Sequence, residues 1–223
     1  MDKNEIAALY RDLPYLEAYR RHTDLRVAAD PHQAVGARWD ELGALQFNYL
    51  VDNGLEPDDR MFDIGCGTLR GGRHFIRYLA PRRYTGVDIS SAAIESAKGL
   101  VAAEGLTEKH PTLLWNPEPE VWFGNLGGAT FDVLLAQSVF THLDVPYIAA
   151  CFPRLRTVMA PGARFFFTFN EAETSRQRNI KGFGHPFRLF SELAASNGFR
   201  VEKRSDYAHP LKQTMAVLTW ASS

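Results

Sequence analysis

The chain has 223 residues, a formal net charge of -1, 45% hydrophobic and 23% charged residues, two cysteines and seven histidines. That length suits one α/β domain with its own core and is short for two independent ones, and the near-neutral charge gives no electrostatic footprint for a nucleic-acid partner. No uninterrupted apolar run approaches membrane-spanning length, and the start, Met1-Asp2-Lys3-Asn4-Glu5, lacks the order of a signal peptide, so a cytoplasmic protein with no membrane partner is expected. Cys66 and Cys151 are far apart and make neither a disulfide framework nor a metal site, and no clustered Asp and His pattern predicts a divalent cation.

Ile6, Leu9, Leu13, Leu16, Tyr19 and Leu25 recur at roughly helical spacing, and Pro14 predicts a break between two short helices over residues 4–29. A third helix fits 38–53, with Gly54 as its C-terminal cap and Glu56-Pro57-Asp58-Asp59 as a linker. Residues 1–57 therefore read as a helical cap, part of the same domain as a core at 58–223. From Met61 the pattern alternates as in βαβ units: strands at 61–64, 83–88, 112–115, 131–136 and 163–169, with helices at 70–79, 91–104 and 146–159. A helix at 187–197 ends at Asn197-Gly198, and 199–206 with 214–220 read as a closing antiparallel pair. The expected fold class is α/β, a seven-stranded mostly parallel sheet whose last strand is antiparallel, preceded by the helical cap. The 170–184 stretch reads as a loop long enough for a lid or a binding segment.

The stretch from Arg60 to Gly72 joins a short apolar run to a glycine turn with Asp63 at the join. Such a turn presents backbone N–H groups to a cofactor. A pyrophosphate on the turn would be repelled by Asp63, whereas an amino acid end suits it: the acid beside Gly65 and Gly67 takes an ammonium, and the turn's N–H groups take a carboxylate. Arg70 also stands where a dinucleotide fingerprint needs glycine or alanine, which opposes a nicotinamide oxidoreductase. Cys66, inside the turn, reads as a small side chain filling a tight space. Asp88, with Ile89, ends the second strand about twenty residues on, where a ribose diol needs acceptors. Ser90 or Ser91 is the better helix cap. Asn116 is a candidate for the adenine amine, in a segment to Trp122 without regular spacing, and Gln137 with Ser138 should touch the methionine part of the cofactor.

These residues resemble the class I S-adenosylmethionine-dependent methyltransferases of the seven-strand Rossmann-like type. Within them the chain is similar to a bacterial small-molecule group with blocks like Val35-Gly36 to Gln46, Asp63-Ile64-Gly65-Cys66-Gly67, Leu69-Arg70-Gly71-Gly72, Gln137 to Leu143 and His209-Pro210, over about residues 35 to 218. The resemblance implies S-adenosyl-L-methionine as cofactor, with Asp63, Gly65 and Gly67 around the methionine end, Asp88 on the ribose and Gln137 with Ser138 toward the sulfonium. The chain departs after strand three, where relatives carry an acid before an aromatic residue and Val121-Trp122 stands here.

A hydroxyl acceptor must lose a proton during methyl transfer, and histidine is the natural base near neutral pH. His142 past strand four and His209 in the closing hairpin are the catalytic candidates, with His185 third; each also has a structural reading as a packed or turn histidine. Arg70 reads either as a contact to the cofactor carboxylate or an anionic acceptor, or as a solvated residue in the first helical turn beside Arg73. Trp39 and Gln46 are candidates to close over the cofactor, and Tyr10, Tyr15, Tyr19 and Phe183 to line an acceptor pocket. The expected function is methyl transfer to a small-molecule acceptor, an oxygen of a sugar, phenol or other secondary metabolite. Nitrogen or carbon methylation on the same fold and a non-catalytic cofactor-binding module are the alternatives, and a homodimer is compatible with all of them.

Overall fold

The computed structural model describes residues 3–36, 38–117, 123 and 126–221. Helices α1 (Lys3–Asp12) and α2 (Tyr15–Ala29) are separated at Pro14, whose φ of -54° suits a helix start but whose missing N–H cannot continue one. A short helix absent from the sequence expectation, α3 (Pro31–Ala34), follows because the Asp30 side chain accepts the His32 and Gln33 N–H groups. Helix α4 (Trp39–Asp52) ends as expected at Gly54, whose φ of +85° lets Leu55 N–H return to the Leu50 carbonyl.

Then come β1 (Met61–Ile64), α5 (Gly72–Tyr78), β2 (Tyr84–Asp88), α6 (Ser91–Ala103) and β3 (Thr112–Trp115). Helix α5 begins at Gly72 rather than at residue 70, because Leu69 adopts φ +67° and the turn runs on past Arg70. Ser90 caps α6, its hydroxyl accepting Ala93 N–H at 3.0 Å. Strand β4 (Phe131–Ala136) leads to α7 (Val145–Val158) and β5 (Met159–Phe169). β5 starts before Pro161-Gly162 instead of after it. Phe131 pairs with Met159 and Val133 with Arg164, so the register shift between them absorbs the extra residues of β5, and Pro161 and Gly162 face solvent.

The expected 170–184 loop holds a hairpin, β6 (Arg176–Asn179) with β7 (Gly182–Gly184). Every β6 residue is exposed, so the strand carries no apolar alternation to announce it. Helix α8 (Phe187–Ser196) and strands β8 (Phe199–Arg204) and β9 (Thr214–Trp220) complete the chain. The seven-stranded sheet has the order β3-β2-β1-β4-β5-β9-β8. The β2–β3, β1–β4 and β4–β5 pairs are parallel and β9 is antiparallel to both neighbours, as the sequence pattern required.

The chain forms two compact units, residues 1–58 with 66–124 and residues 59–65 with 125–223. In the first, Leu42, Leu50, Phe75, Ile76, Leu79 and Tyr84 make much of the core, and Asp24 of α2 accepts the Ser90 hydroxyl at 2.6 Å. In the second, fully buried Phe140, Phe165, Phe167, Phe169 and Phe190 pack ring on ring, Phe169 and Phe190 with centroids 4.6 Å apart. No helix among the described residues is long and apolar enough to cross a membrane.

Candidate active site

In the first unit the glycine turn and the end of β2 are tied together. Gly67 N–H donates to Asp88 Oδ2 at 2.9 Å, Ser90 N–H donates to Asp88 Oδ1 at 2.8 Å, and Cys66 N–H donates to the Val87 carbonyl at 3.1 Å. Both Asp88 oxygens thus accept backbone donors. Burial pushes the Asp88 carboxyl up to about 6, against the pull of the Ser90, Gly67 and Ile89 N–H groups and with a further push from Asp24. Gly67 sits at φ +57°, and a Cβ there would meet the Val35 side chain, so the turn has room only for glycine. Cys66 is buried, with its thiol 3.8 Å from the Gly67 carbonyl, as a residue that fills a tight turn should be.

Asn116 N–H donates to the Asp88 carbonyl at 2.9 Å, and the half-exposed Trp115 indole donates to the Ile89 carbonyl at 3.1 Å. Asn116, Ile89 and Asp88 therefore lie together at the carboxyl ends of β2 and β3. Val121-Trp122, the point of departure from similar proteins, lies outside the described residues.

Arg70 is not on a solvated face. It is 7% exposed, precedes the helix, and donates from Nη1 to the Val35 carbonyl at 2.8 Å. Arg73 does lie in the first turn of α5 and is held by Glu104 at 3.3 Å and Asp40 at 2.5 Å. Gln46 is buried with its side-chain oxygen against Gly71, where a Cβ has no space, and Trp39 stacks on His32 with centroids 4.2 Å apart. Tyr15 stacks on Tyr19, and the Tyr10 hydroxyl meets His22 Nδ1 at 3.1 Å. Burial, and after it the negative charge of Asp88, raises the Tyr19 phenol, so the aromatic side of α2 lies within electrostatic reach of that carboxylate.

In the second unit Asp63 is buried on β1, in register with Leu135 of β4. Gly65 has φ +72° and lies against the Val139 side chain. Just past β4, Gln137 and Ser138 enter a polar network that sequence reasoning missed. Its other members are Thr168 of β5 and Tyr207 and Gln213 of the β8–β9 connection. No spacing rule links these residues; only the post-strand position of Gln137 and Ser138 was visible.

The three candidate histidines differ in how their rings are held. His142 Nδ1 is 2.7 Å from the Lys181 carbonyl. A carbonyl only accepts, so Nδ1 carries the proton and the lone pair of the neutral ring is on Nε2. His209 Nδ1 accepts Leu211 N–H at 3.2 Å, which puts the proton on Nε2 and makes that atom a donor. His185 is fully buried, donates from Nε2 to the Leu143 carbonyl at 2.8 Å, and receives the Ser175 hydroxyl on Nδ1 at 3.1 Å. Burial lowers its pKa, and its two ring nitrogens tie Ser175 to Leu143. Phe183, beside it, is buried and stacked on that ring.

Residues 62–165 match the sequence-family model described as a methyltransferase domain. Among solved structures, the chain is similar to the magnesium protoporphyrin IX methyltransferase of Synechocystis PCC 6803 with bound S-adenosylmethionine. There the TM-score is 0.70 at 15% identity, over 94% of this chain and 98% of that one. It is also similar to CcbJ, a methyltransferase of Streptomyces caelestis, with a TM-score of 0.63 at 14% identity over 97% and 96%. A third, DhpI in complex with S-adenosylhomocysteine, has a TM-score of 0.64 at 16% identity over 97% and 99%. At these identities the likeness is one of fold.

Proposed function

We propose that this chain, a class I S-adenosylmethionine-dependent methyltransferase, methylates an oxygen of a small-molecule acceptor such as a sugar or phenol, with His142 as the general base. The observation that carries the reading is the His142 ring, whose Nδ1–H to the Lys181 carbonyl leaves the basic lone pair on Nε2.

The residues fit the cofactor. Asp88 is the acceptor for the ribose diol, its carboxylate held by the Gly67 and Ser90 N–H groups. The Gly67 turn is a cradle that a Cβ would fill, and buried Asp63 is the partner for an ammonium. Arg70 is the cation for the methionine carboxylate, with Gly65, Cys66, Ile89, Asn116, Gln137 and Ser138 completing the contacts. When bound, S-adenosylmethionine supplies an electrophilic methyl carbon on a sulfonium.

The chain then has to orient the acceptor oxygen, keep water out and take one proton. His142 Nε2 would take the proton of the acceptor hydroxyl as that oxygen is methylated. Lys181, through its carbonyl, steadies the ring as it becomes a cation. His209, with its proton on Nε2, suits a hydrogen-bond donor to the acceptor.

Incubating the protein with methyl-labelled S-adenosylmethionine and separate panels of phenols, sugars and amines tests the reading. Label in phenols or sugars supports it; label confined to amines overturns the oxygen assignment.

A further inference from the structure

Ser138 holds a left-handed backbone, φ +63°, which is costly for a residue with a side chain. Its polar groups pin it there. Its N–H donates to Thr168 Oγ1 at 2.7 Å, its carbonyl accepts the Thr141 hydroxyl at 2.6 Å, and its own hydroxyl donates to Gln213 Oε1 at 3.0 Å. The preceding side chain is held as firmly. Gln137 Oε1 accepts the Tyr207 hydroxyl at 2.9 Å, and Gln137 Nε2 donates to Gln213 Oε1 at 3.1 Å and meets Ser138 Oγ at 3.3 Å.

Gln213 is the hub. Its Oε1 receives Gln137 Nε2, Ser138 Oγ and, at 2.8 Å, Thr168 Oγ1. The Gln137 N–H sets the orientation of that amide, since a flipped side chain would put its own N–H group against it, whereas the two hydroxyls can donate or accept. Gln213 and Tyr207 belong to the β8–β9 connection, 75 and 70 residues from the partners they hold. A short turn at the end of β4 is thus held in a costly conformation by distant side chains, and backbone strain maintained in this way marks functional positions.

We infer that Gln213, assisted by Tyr207, is a positioning residue: it holds the Gln137–Ser138 turn in the shape that receives the methionine end of the cofactor. The inference rests on the proposed cofactor reading, in which this turn faces that end. It separates from a general stabilising role because a misplaced turn harms only ligands that carry the amino acid end.

Calorimetric titration of the full chain with S-adenosylhomocysteine and with 5′-methylthioadenosine, which lacks that end, tests it. Gln213→Leu keeps the volume and loses the acceptor; it should bind S-adenosylhomocysteine about tenfold or more weakly and leave 5′-methylthioadenosine within about twofold. Tyr207→Phe should shift the two ligands in the same selective sense by a smaller factor, and it carries the test if Gln213→Leu does not fold. Asp88→Ala should weaken both ligands. Equal losses for both ligands, or none, in the Gln213 and Tyr207 variants overturn the inference while leaving the cofactor reading intact. A parent protein that binds neither ligand overturns the cofactor reading and this inference with it.

Discussion

The N–H of Gly67 donates to the carboxylate of Asp88 at 2.9 Å across 21 residues of sequence. One hydrogen bond therefore ties the turn that would carry the methionine end of the cofactor to the acid that would carry its ribose. The glycine needs its positive φ to point that N–H, and the acid needs the N–H to hold its rotamer. The pair acts as one unit of the site.

Replacing Asp88 by Ala should weaken S-adenosylhomocysteine binding by roughly 1 to 3 kcal/mol, the cost of leaving buried polar partners unsatisfied. Calorimetry with the variant measures it. An unchanged dissociation constant would take Asp88 out of the site.

The Asp88 carboxyl, raised to about 6 from 3.8, sets a pH dependence. A ribose diol donates to the ionised form, so affinity should climb as pH rises through about 6 and level off above it. In the protein without ligand the sign reverses. A raised carboxyl favours the folded state most below 3.8, and that contribution is lost as pH rises through about 6. Titrating affinity and melting temperature across this window, with Asp88→Asn as the non-titrating control, should show the opposed slopes in the parent and flatter curves in the variant.

Two glycines should respond oppositely to a methyl group. At Gly67, φ +57° and the Val35 side chain, 2.6 Å from the added Cβ, make alanine unfavourable by more than the roughly 1–2 kcal/mol of the backbone alone. At Gly99, in the middle of α6, nothing stands within 4 Å and alanine should stabilise by roughly 0.5–1 kcal/mol. Thermal or urea unfolding of both variants checks the pair, and a Gly67→Ala protein as stable as the parent would contradict the described turn.

If His142 takes the acceptor proton, His142→Ala should lower turnover about a hundredfold or more and leave S-adenosylhomocysteine affinity nearly unchanged. Turnover with an identified acceptor and calorimetry on the same preparation separate the two quantities. Normal turnover would return His142 to a structural role, its ring hydrogen-bonded to the Lys181 carbonyl.

Much of the fold was legible because its signals are local. Pro14, Gly54 and Ser90 mark helix boundaries through the atoms they lack or offer to the next few residues, and β1, β2, β3 and β4 sit where the alternation put them. The misplaced starts have equally local causes that sequence does not display: the left-handed Leu69 before α5 and the register shift that lets β5 pass through Pro161. The β6–β7 hairpin was hidden because an exposed strand has no buried face to impose a period.

The order of helices and strands, the glycine turn with its flanking acids and the candidate histidines can all be read from the chain alone, since each depends on residues within a turn or a strand of one another. Folding is what buries Arg70 against Val35, lets Lys181 orient the His142 ring, and brings Tyr207 and Gln213 to hold Gln137 and Ser138. Those hydrogen bonds join residues 35 to 76 positions apart, and contacts at such separations leave no periodic trace in a chain.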